Sequence, residues 1–305
     1  MAIVDLETHN GNELFYSLSS YFFKLNLDME PTIEKPQIDL DKLYHYSTPG
    51  GFNGILRSRS LWMTNIQYQN DIEEYKYATK LAFEVIKEDY PGINQTALFI
   101  DSNIVHIYTF SLTEQNDLLS QWRGYSPNGG FAFAFNKELL ESVVKDNNLE
   151  LVRCIYDKDE QKEYIRSKVI GMQPADFLEM QAKSAQVSHD NNTGEGYRYN
   201  MFIRGMRALT ISYHAARLKH PKFAEEKEWR LIKRLSESEI DNVKLREGKD
   251  ILIPYVEIPL VDKDKQIKFS SIIVGPGSRQ DLAKQACSLI LCDDIIASDI
   301  PYRNW

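Results

Sequence analysis

The sequence predicts an α+β fold with a mixed, largely antiparallel sheet. Segments with the composition of strands outnumber any regular strand–helix–strand alternation, which argues against a parallel sheet with crossover helices. The segment "FAFAFN" at residues 131–136 alternates large rings with small side chains, so one face of a strand would bury rings while the other stays small. No repeat of solenoid length is present, so we expect a single domain.

Composition places the chain among ordinary globular proteins. Of its 305 residues, 43% are hydrophobic and 26% are charged, and the net charge of −8 disfavours a broad nucleic-acid-binding surface. No apolar run approaches membrane-spanning length, and the acidic N-terminus argues against a signal peptide. The three cysteines form no CxxC pair and indicate reduced thiols. We therefore predict a cytoplasmic protein with no membrane partner.

Residues 1–40 are predicted to form an N-terminal helical extension and linker. Residues 12–27 place apolar side chains on one helical face, and Pro31 and Pro36 follow them. This helix is a possible surface for a protein partner.

Residues 41–305 are predicted to form the single α+β domain. A strand, a short helix and a second strand are predicted from Lys42 onwards. A long helix is then predicted to start near Asn70, because Asp71 and Glu74 have capping-box spacing, and to end before Pro91. The later elements of this half are the strand "NIVHIYTFS" (103–111), the helix "DLLSQWRGY" (117–125), "FAFAFN", the helix "KELLESVVKD" (137–146) and the strand "ELVRCIYD" (150–157).

The second half begins with a helical insertion at about 160–220 and then returns to strands. A Gly-Pro-Gly turn at 275–277 joins a strand to a helix, which is a turn signal rather than a P-loop, because the GK[ST] of a P-loop is missing. The predicted strands are "KEWRLIKRL" (227–235), "ILIPYVEIPL" (251–260), "IKFSSIIVG" (267–275) and "IIASDIPYR" (295–303).

Metal and nucleophile motifs are missing from the sequence. The six histidines form no HExxH, and Cys287 and Cys292 lie in an apolar helix, so we predict no metal site. There is no GxSxG. Ser111, at the end of a strand, is either a site residue or a hydroxyl that bonds the next turn.

Two short segments carry the candidate chemistry. In the first, Tyr44-His45-Tyr46 is followed by two hydroxyl residues and a helix start. In the second, "FAEEKEWRLIKR", Glu226 and Glu228 would share one side of an extended chain. Each also has a structural explanation: a histidine that packs in the core, and a charged strand end in which Glu228 pairs with Arg230.

Residues 43–78, "LYHYSTPGGFNGILRSRSLWMTNIQYQNDIEEYKYA", resemble the first half of the ADP-ribosyltransferase fold in its His–Tyr–Glu form. The resemblance implies NAD as the substrate. A histidine and a hydroxyl would hold the nicotinamide riboside, two rings would sandwich the nicotinamide, and a glutamate would bond the ribose 2′-hydroxyl and support an oxocarbenium-like transition state. The matching residues are His45, Ser47 or Thr48, Trp62, Tyr75 and Glu228.

The sequence departs from that family in three ways. Tyr46 stands where a glycine is usual, so its ring is expected to crowd the nicotinamide. Trp62 replaces a tyrosine and lies farther from Tyr75 than is usual. Glu226-x-Glu228 is similar to the ExE of the arginine-specific branch, so either glutamate could be the catalytic one.

The chain also resembles a widespread bacterial domain family of unassigned function, whose members often look like phage-defence or toxin-type effectors. The matching features are Tyr44-His45-Tyr46-Ser47, Asn70-Asp71 with Glu73 or Glu74, Ser111 with Trp122 and Tyr125, and Glu226-x-Glu228-Trp229-Arg230. Trp122 and Tyr125 are also expected as core residues, and Arg230 or Arg123 as contacts for the pyrophosphate of NAD.

These features predict an NAD-consuming ADP-ribosyltransferase-like enzyme, a toxin or phage-defence effector that modifies a protein or nucleic acid. NAD hydrolysis at the same site, or a non-catalytic binding or regulatory module of that fold, are the alternatives. A basic run could orient a nucleic-acid backbone, although a solvated helix face is the favoured explanation of these charges. Its members are Arg204, Arg207, Arg217, Lys219 and Lys222.

Overall fold

The computed structural model describes residues 41–69, 72–89, 106–170, 210–248, 250–260, 267–290 and 292–301. The strands are β1 (Lys42–Ser47), β2 (Ser60–Asn65), β3 (Ile107–Thr113), β4 (Phe131–Asn136), β5 (Glu150–Arg153), β6 (Glu228–Arg234), β7 (Lys244–Glu247), β8 (Leu252–Pro259), β9 (Ser271–Val274) and β10 (Ile295–Ala297). The helices are α1 (Pro49–Ser58), α2 (Ile72–Asp89), α3 (Leu119–Tyr125), α4 (Lys137–Asp146), α5 (Lys158–Ile165) and α6 (Gln280–Cys287). Short 3-10 turns cover Ile66–Tyr68, Pro221–Glu226 and Glu237–Asn242.

The ten strands of the described residues form one open sheet. Its main order is β10-β9-β4-β1-β3-β2-β8-β7, with β6 beside β3 and β5 beside β6. In the part of the chain that is described, β9 and β10 form the parallel pair and the remaining ladders are antiparallel. The predicted α+β fold with a mixed, largely antiparallel sheet is therefore confirmed.

The sheet divides at β3. One edge of β3 pairs along its whole length with β6. The other edge is shared, because β1 meets it only at Thr113 and β2 meets it only at Tyr108 and Thr109. Over residues 110–112 that edge pairs with neither strand, so β1 and β2 part from each other and leave a gap in the sheet.

Both faces of the sheet bury apolar side chains. On one face, α1 and α4 cover the rings of β4 and of Phe269. On the other face, α2 and α5 pack with the helical residues 210–215 against Ile107 and Ile232. The "FAFAFN" prediction is confirmed: its rings share the first face, while Ala132 leaves room for Trp122 on the second.

Several predicted elements match the structure, and others are shorter. The segments predicted as β4 and α4 agree to the residue, and Asn136 caps α4 by accepting a hydrogen bond from the Leu139 amide at 3.0 Å. The strand predicted at 150–157 ends at Arg153, because the Ile155 amide bonds the carbonyl of Arg217 instead. The short strand β7 was not predicted.

Some predictions fall on residues that the structure does not describe. The N-terminal extension (1–40), Asn70, Asp71 and most of the helical insertion lie outside the described residues; the described flanks of the insertion, in α5 and at 210–215, are helical. No helix in the described ranges has both the length and the apolar character needed to cross a bilayer.

Candidate functional site

A cleft of about 670 Å³ opens where β1 and β2 part from β3. Its walls come from β1, the start of α1, β2, β3, β6 and β7, and its volume lies in the ordinary range of small-molecule sites. It collects most of the predicted site residues from distant parts of the sequence. Those that line it are His45, Tyr46, Ser47, Trp62, Ser111, Glu226, Glu228 and Arg230.

His45 lies in the gap of the sheet. Its Nδ1 is 2.7 Å from the carbonyl oxygen of Ser111, in the stretch of β3 that neither β1 nor β2 pairs with. The imidazole stacks on Phe110 with 4.1 Å between ring centroids. Because a carbonyl only accepts hydrogen bonds, Nδ1 carries the hydrogen and Nε2 is left as an acceptor. Burial lowers the pKa of His45 to about 4, so the ring is neutral at pH 7.

Two hydroxyls follow His45, and the structure gives them different surroundings. Thr48 caps α1, since its Oγ1 accepts a hydrogen bond from the Gly51 amide at 3.1 Å. The Ser47 hydroxyl lies over Gly51, where any larger side chain would collide with it. Glycine at position 51 therefore makes room for Ser47 at the wall of the cleft.

Trp62 forms a wall of the cleft and is packed between neighbouring residues. Its Nε1 donates to the Ser58 hydroxyl at 3.0 Å, and its ring lies against Gly54, where a methyl group would overlap it. Tyr255 packs 5.0 Å away, centroid to centroid. The side chain of Tyr75, the predicted second ring of the sandwich, lies outside the described residues.

Tyr46 borders the cleft, but its ring is directed away from His45. Residues alternate along β1, so the Tyr46 ring points to the face opposite His45 and meets Trp122 edge-on at 4.6 Å. Its hydroxyl donates to the Gln115 carbonyl at 3.0 Å and accepts from the Leu118 amide at 2.9 Å. The bulk of Tyr46 is therefore directed into the neighbouring core cluster.

Glu228 is buried, with 4% of its surface exposed, and is held by two cations. Arg230 grips both carboxylate oxygens, with Nε 2.7 Å from Oε1 and Nη2 3.0 Å from Oε2. The ammonium of Lys219, itself 3% exposed, bonds Oε2 as well. Burial alone would raise the pKa of Glu228, but Arg230 and then Lys219 outweigh it and lower the pKa well below the usual range. The carboxylate is therefore ionised, and the ion pair anticipated between Glu228 and Arg230 is present.

Glu226 joins the same network by a different route from the one predicted. The sequence placed it beside Glu228 on an extended strand, but Glu226 ends a 3-10 turn and Lys227 follows it with a left-handed φ of 41°. That bend still brings Glu226 Oε2 to 2.6 Å from Lys219 Nζ. Glu226 is the more exposed of the two carboxylates.

Other predictions change with the structure. Arg123 is exposed on α3 and does not line the cleft. Trp122 is buried core and Tyr125 borders the cleft. The basic run is not a solvated face at Arg217 and Lys219, because both are buried beside carboxylates. Arg204 and Arg207 lie outside the described residues.

Two cations that line the cleft were not predicted as site residues: Lys219, which the sequence analysis placed in the basic run, and Arg246. The apolar neighbours of Lys219 in "AARLKHP" were a signal of burial. Arg246, on the unpredicted β7, gave no such signal. Among the described residues, no group of three or more histidines, cysteines, aspartates or glutamates is placed to hold a metal ion.

Residues 121–231 match the profile of a family described as "Protein of unknown function (DUF2971)", so a domain of that family is found there. This supports the predicted resemblance to a family of unassigned function, over α3 to the first half of β6. The match includes Lys219, Glu226, Glu228 and Arg230, whereas His45 and Trp62 precede it. No curated protein and no solved structure matches the chain.

Proposed function

We propose that the protein is an NAD-consuming ADP-ribosyltransferase-like enzyme that modifies a protein or nucleic acid, in the manner of a bacterial toxin or phage-defence effector. One observation carries the proposal. The gap in the sheet presents a neutral imidazole, His45, and an ionised carboxylate, Glu228, to the same cleft.

The charge state of Glu228 suits this chemistry. When the bond between nicotinamide and ribose breaks, its electron pair leaves with the nicotinamide, which becomes neutral and needs no general acid. Positive charge then develops on the ribose, and a preorganised carboxylate stabilises it. Arg230 and Lys219 keep Glu228 ionised and fix its orientation. A ribose hydroxyl would have to share its oxygens with them.

The other wall of the cleft supplies recognition. His45 Nε2 would accept a hydrogen bond from a ribose hydroxyl, because Nδ1 is already committed to Ser111. Ser47 adds a hydroxyl beside it, and Trp62 provides a flat apolar surface for the nicotinamide ring. The acceptor would bond the anomeric carbon and lose a proton. Glu226 would accept that proton, because it is the more exposed of the two carboxylates.

The test is nicotinamide release from NAD by the purified protein, with and without cell lysate. Wild type is compared with Glu228→Gln and with Glu225→Gln, a matched change at an exposed glutamate of the adjoining turn. We expect release by wild type and Glu225→Gln, and a loss of about a hundredfold or more for Glu228→Gln. Because Glu228→Gln alters a buried network, its thermal unfolding is recorded, and Ser47→Ala serves as a milder variant that lies outside that network.

A non-catalytic binding or regulatory module is the second candidate. One observation favours it: both oxygens of Glu228 are already engaged by cations. No nicotinamide release and no NAD binding would reject the NAD-consuming enzyme and favour this alternative. Release that does not require lysate would instead indicate NAD hydrolysis, with water as the acceptor.

A further inference from the structure

Arg246 is a cation of the cleft with an incomplete set of partners. It lies on β7, and its Nη2 donates to the Thr64 hydroxyl of β2 at 3.1 Å. Its Nε is buried, yet within the described ranges that nitrogen finds no acceptor. A buried donor without a partner is unfavourable, which makes this nitrogen a candidate for contact with a ligand.

Three buried cations of the described residues differ from the half-buried Arg246. Arg217 bonds Glu150, Lys219 bonds Glu226 and Glu228, and Arg230 bonds Glu228. Of the carboxylates in the described residues, none lies within ion-pair distance of Arg246. Its neighbour Glu247 also borders the cleft, but it forms no ion pair with Arg246. The guanidinium group of Arg246 is therefore accessible from the cleft.

We infer that Arg246 is the anion-binding residue of the cleft and that it takes the diphosphate of a nucleotide. A guanidinium offers several N–H donors in a planar fork, which matches phosphoryl oxygens better than a point charge would. The hydrogen bond to Thr64 fixes the fork, and the unpaired Nε is ready to donate. The N-terminus of α1, with no acidic residue in its first turn, borders the same cleft and suits a second phosphoryl group.

A diphosphate explains the size of the cleft better than a small anion does. Arg246 and the start of α1 both border a volume of about 670 Å³, far more than one carboxylate or phosphate fills. The inference rests on the proposed function only for the identity of the nucleotide. Recognition of the diphosphate itself stands on Arg246 and its surroundings.

The experiment is isothermal titration of the full chain with inorganic pyrophosphate and with ADP. Wild type is compared with Arg246→Gln, with Arg246→Lys and with Arg57→Gln, the same change at an exposed arginine outside the cleft. We expect ADP binding to weaken about tenfold to a hundredfold in Arg246→Gln, which is what one charge-assisted hydrogen bond supplies. Arg246→Lys should lose less, and Arg57→Gln should bind like wild type. Thermal unfolding without ligand checks that each variant folds.

Three outcomes would overturn the inference. They are equal ADP affinity of wild type and Arg246→Gln, no binding of pyrophosphate or ADP by wild type at millimolar concentration, and Arg246-dependent binding of a single-stranded oligonucleotide but not of ADP. The last would assign Arg246 to a nucleic-acid backbone. Arg246-dependent ADP binding without nicotinamide release would keep this site and reject the proposed NAD chemistry, so the two failures are distinguishable.

Discussion

The two walls of the cleft treat charge in opposite ways. On the β6 wall, Lys219, Glu226, Glu228 and Arg230 form a network in which each charged group faces one of opposite sign. On the β2–β7 wall, Arg246 has a hydroxyl partner and an unfilled buried donor. The first arrangement belongs to the folded protein itself, whereas the second is completed only by something that enters the cleft. Stability and ligand binding should therefore respond to different residues.

The largest effect on stability is expected when the β6 wall, where every charge is paired, loses a cation. Arg230→Met would leave the buried carboxylate of Glu228 with Lys219 alone, and removing one partner of a buried ion pair costs about 3–5 kcal/mol. The free energy of unfolding, measured by urea denaturation, should fall by that amount. Lys222→Met, at an exposed lysine nearby, is the control and should change it by less than about 0.5 kcal/mol. A loss below about 1 kcal/mol in Arg230→Met would mean that the network is not what holds this wall.

A smaller effect is expected where the opposite wall is tightly packed. Alanine normally stabilises a helix relative to glycine by about 1 kcal/mol. At Gly54 the added methyl group would overlap the Trp62 ring, so Gly54→Ala should instead destabilise by about 1–3 kcal/mol. Gly50→Ala, near the start of the same helix, meets no close contact and serves as the control. A stabilised Gly54→Ala would show that Trp62 moves freely.

The next effect is a dependence of stability on pH that comes from His45. Its pKa is about 4 in the folded protein, below the ordinary 6.5, because burial disfavours the charged ring. Between pH 6.5 and 4 the unfolded chain binds a proton that the folded chain does not. The stabilisation is thus complete above pH 6.5 and falls as the pH is lowered through that window, by about 1–2 kcal/mol at pH 4.5 once partial exposure is allowed for.

The His45 effect is isolated by comparison with His45→Gln at pH 7, 5.5 and 4.5. His214, whose pKa burial lowers to about 3, contributes the same slope to both proteins and cancels in the difference. The gap between wild type and variant should narrow as the pH falls. A constant gap would show that the ring is accessible enough to be protonated in the folded state.

The smallest effect on stability is expected at the β2–β7 wall. Arg246→Met removes a cation that has no carboxylate partner among the described residues, so the free energy of unfolding without ligand should change by no more than about 0.5 kcal/mol or rise slightly. Urea denaturation beside Arg230→Met provides the direct contrast. A loss above about 2 kcal/mol would mean that Arg246 belongs to the folded framework, and the comparison between the walls would fail.

The sequence predicted local elements well where a local signal exists. The Phe/Ala alternation defines β4, and Asn136 caps α4 as its amino-acid type favours. β7 was missed because "KLRE" is short and polar and leaves Leu245 exposed, so it lacks the periodicity of a half-buried strand. Edge strands of this kind are defined by their partner, here β8, rather than by their own residues.

Residues that line the cleft were selected from the sequence, but the contacts between them were not predicted. His45, Ser111 and Glu228 all line the cleft, but their proximity depends on the pairing of β3 with β1 and β6, which no local pattern reveals. Lys219 was expected in solvent, as part of a charged helix face. Lys219 is buried because it bonds both Glu226 and Glu228. The left-handed backbone of Lys227 brings these two glutamates to the same ammonium group, and a left-handed conformation at a non-glycine residue cannot be predicted from the sequence.

The parting of β1 and β2 from β3 also determines which parts of the protein are free to vary. Over residues 110–112, one edge of β3 meets side chains where a neighbouring strand would otherwise lie, and the imidazole of His45 occupies one of those positions. A substitution there changes the side chains that line the cleft without removing a main-chain hydrogen bond between strands. Chains that share this framework can therefore diverge in what they bind while the sheet itself stays the same.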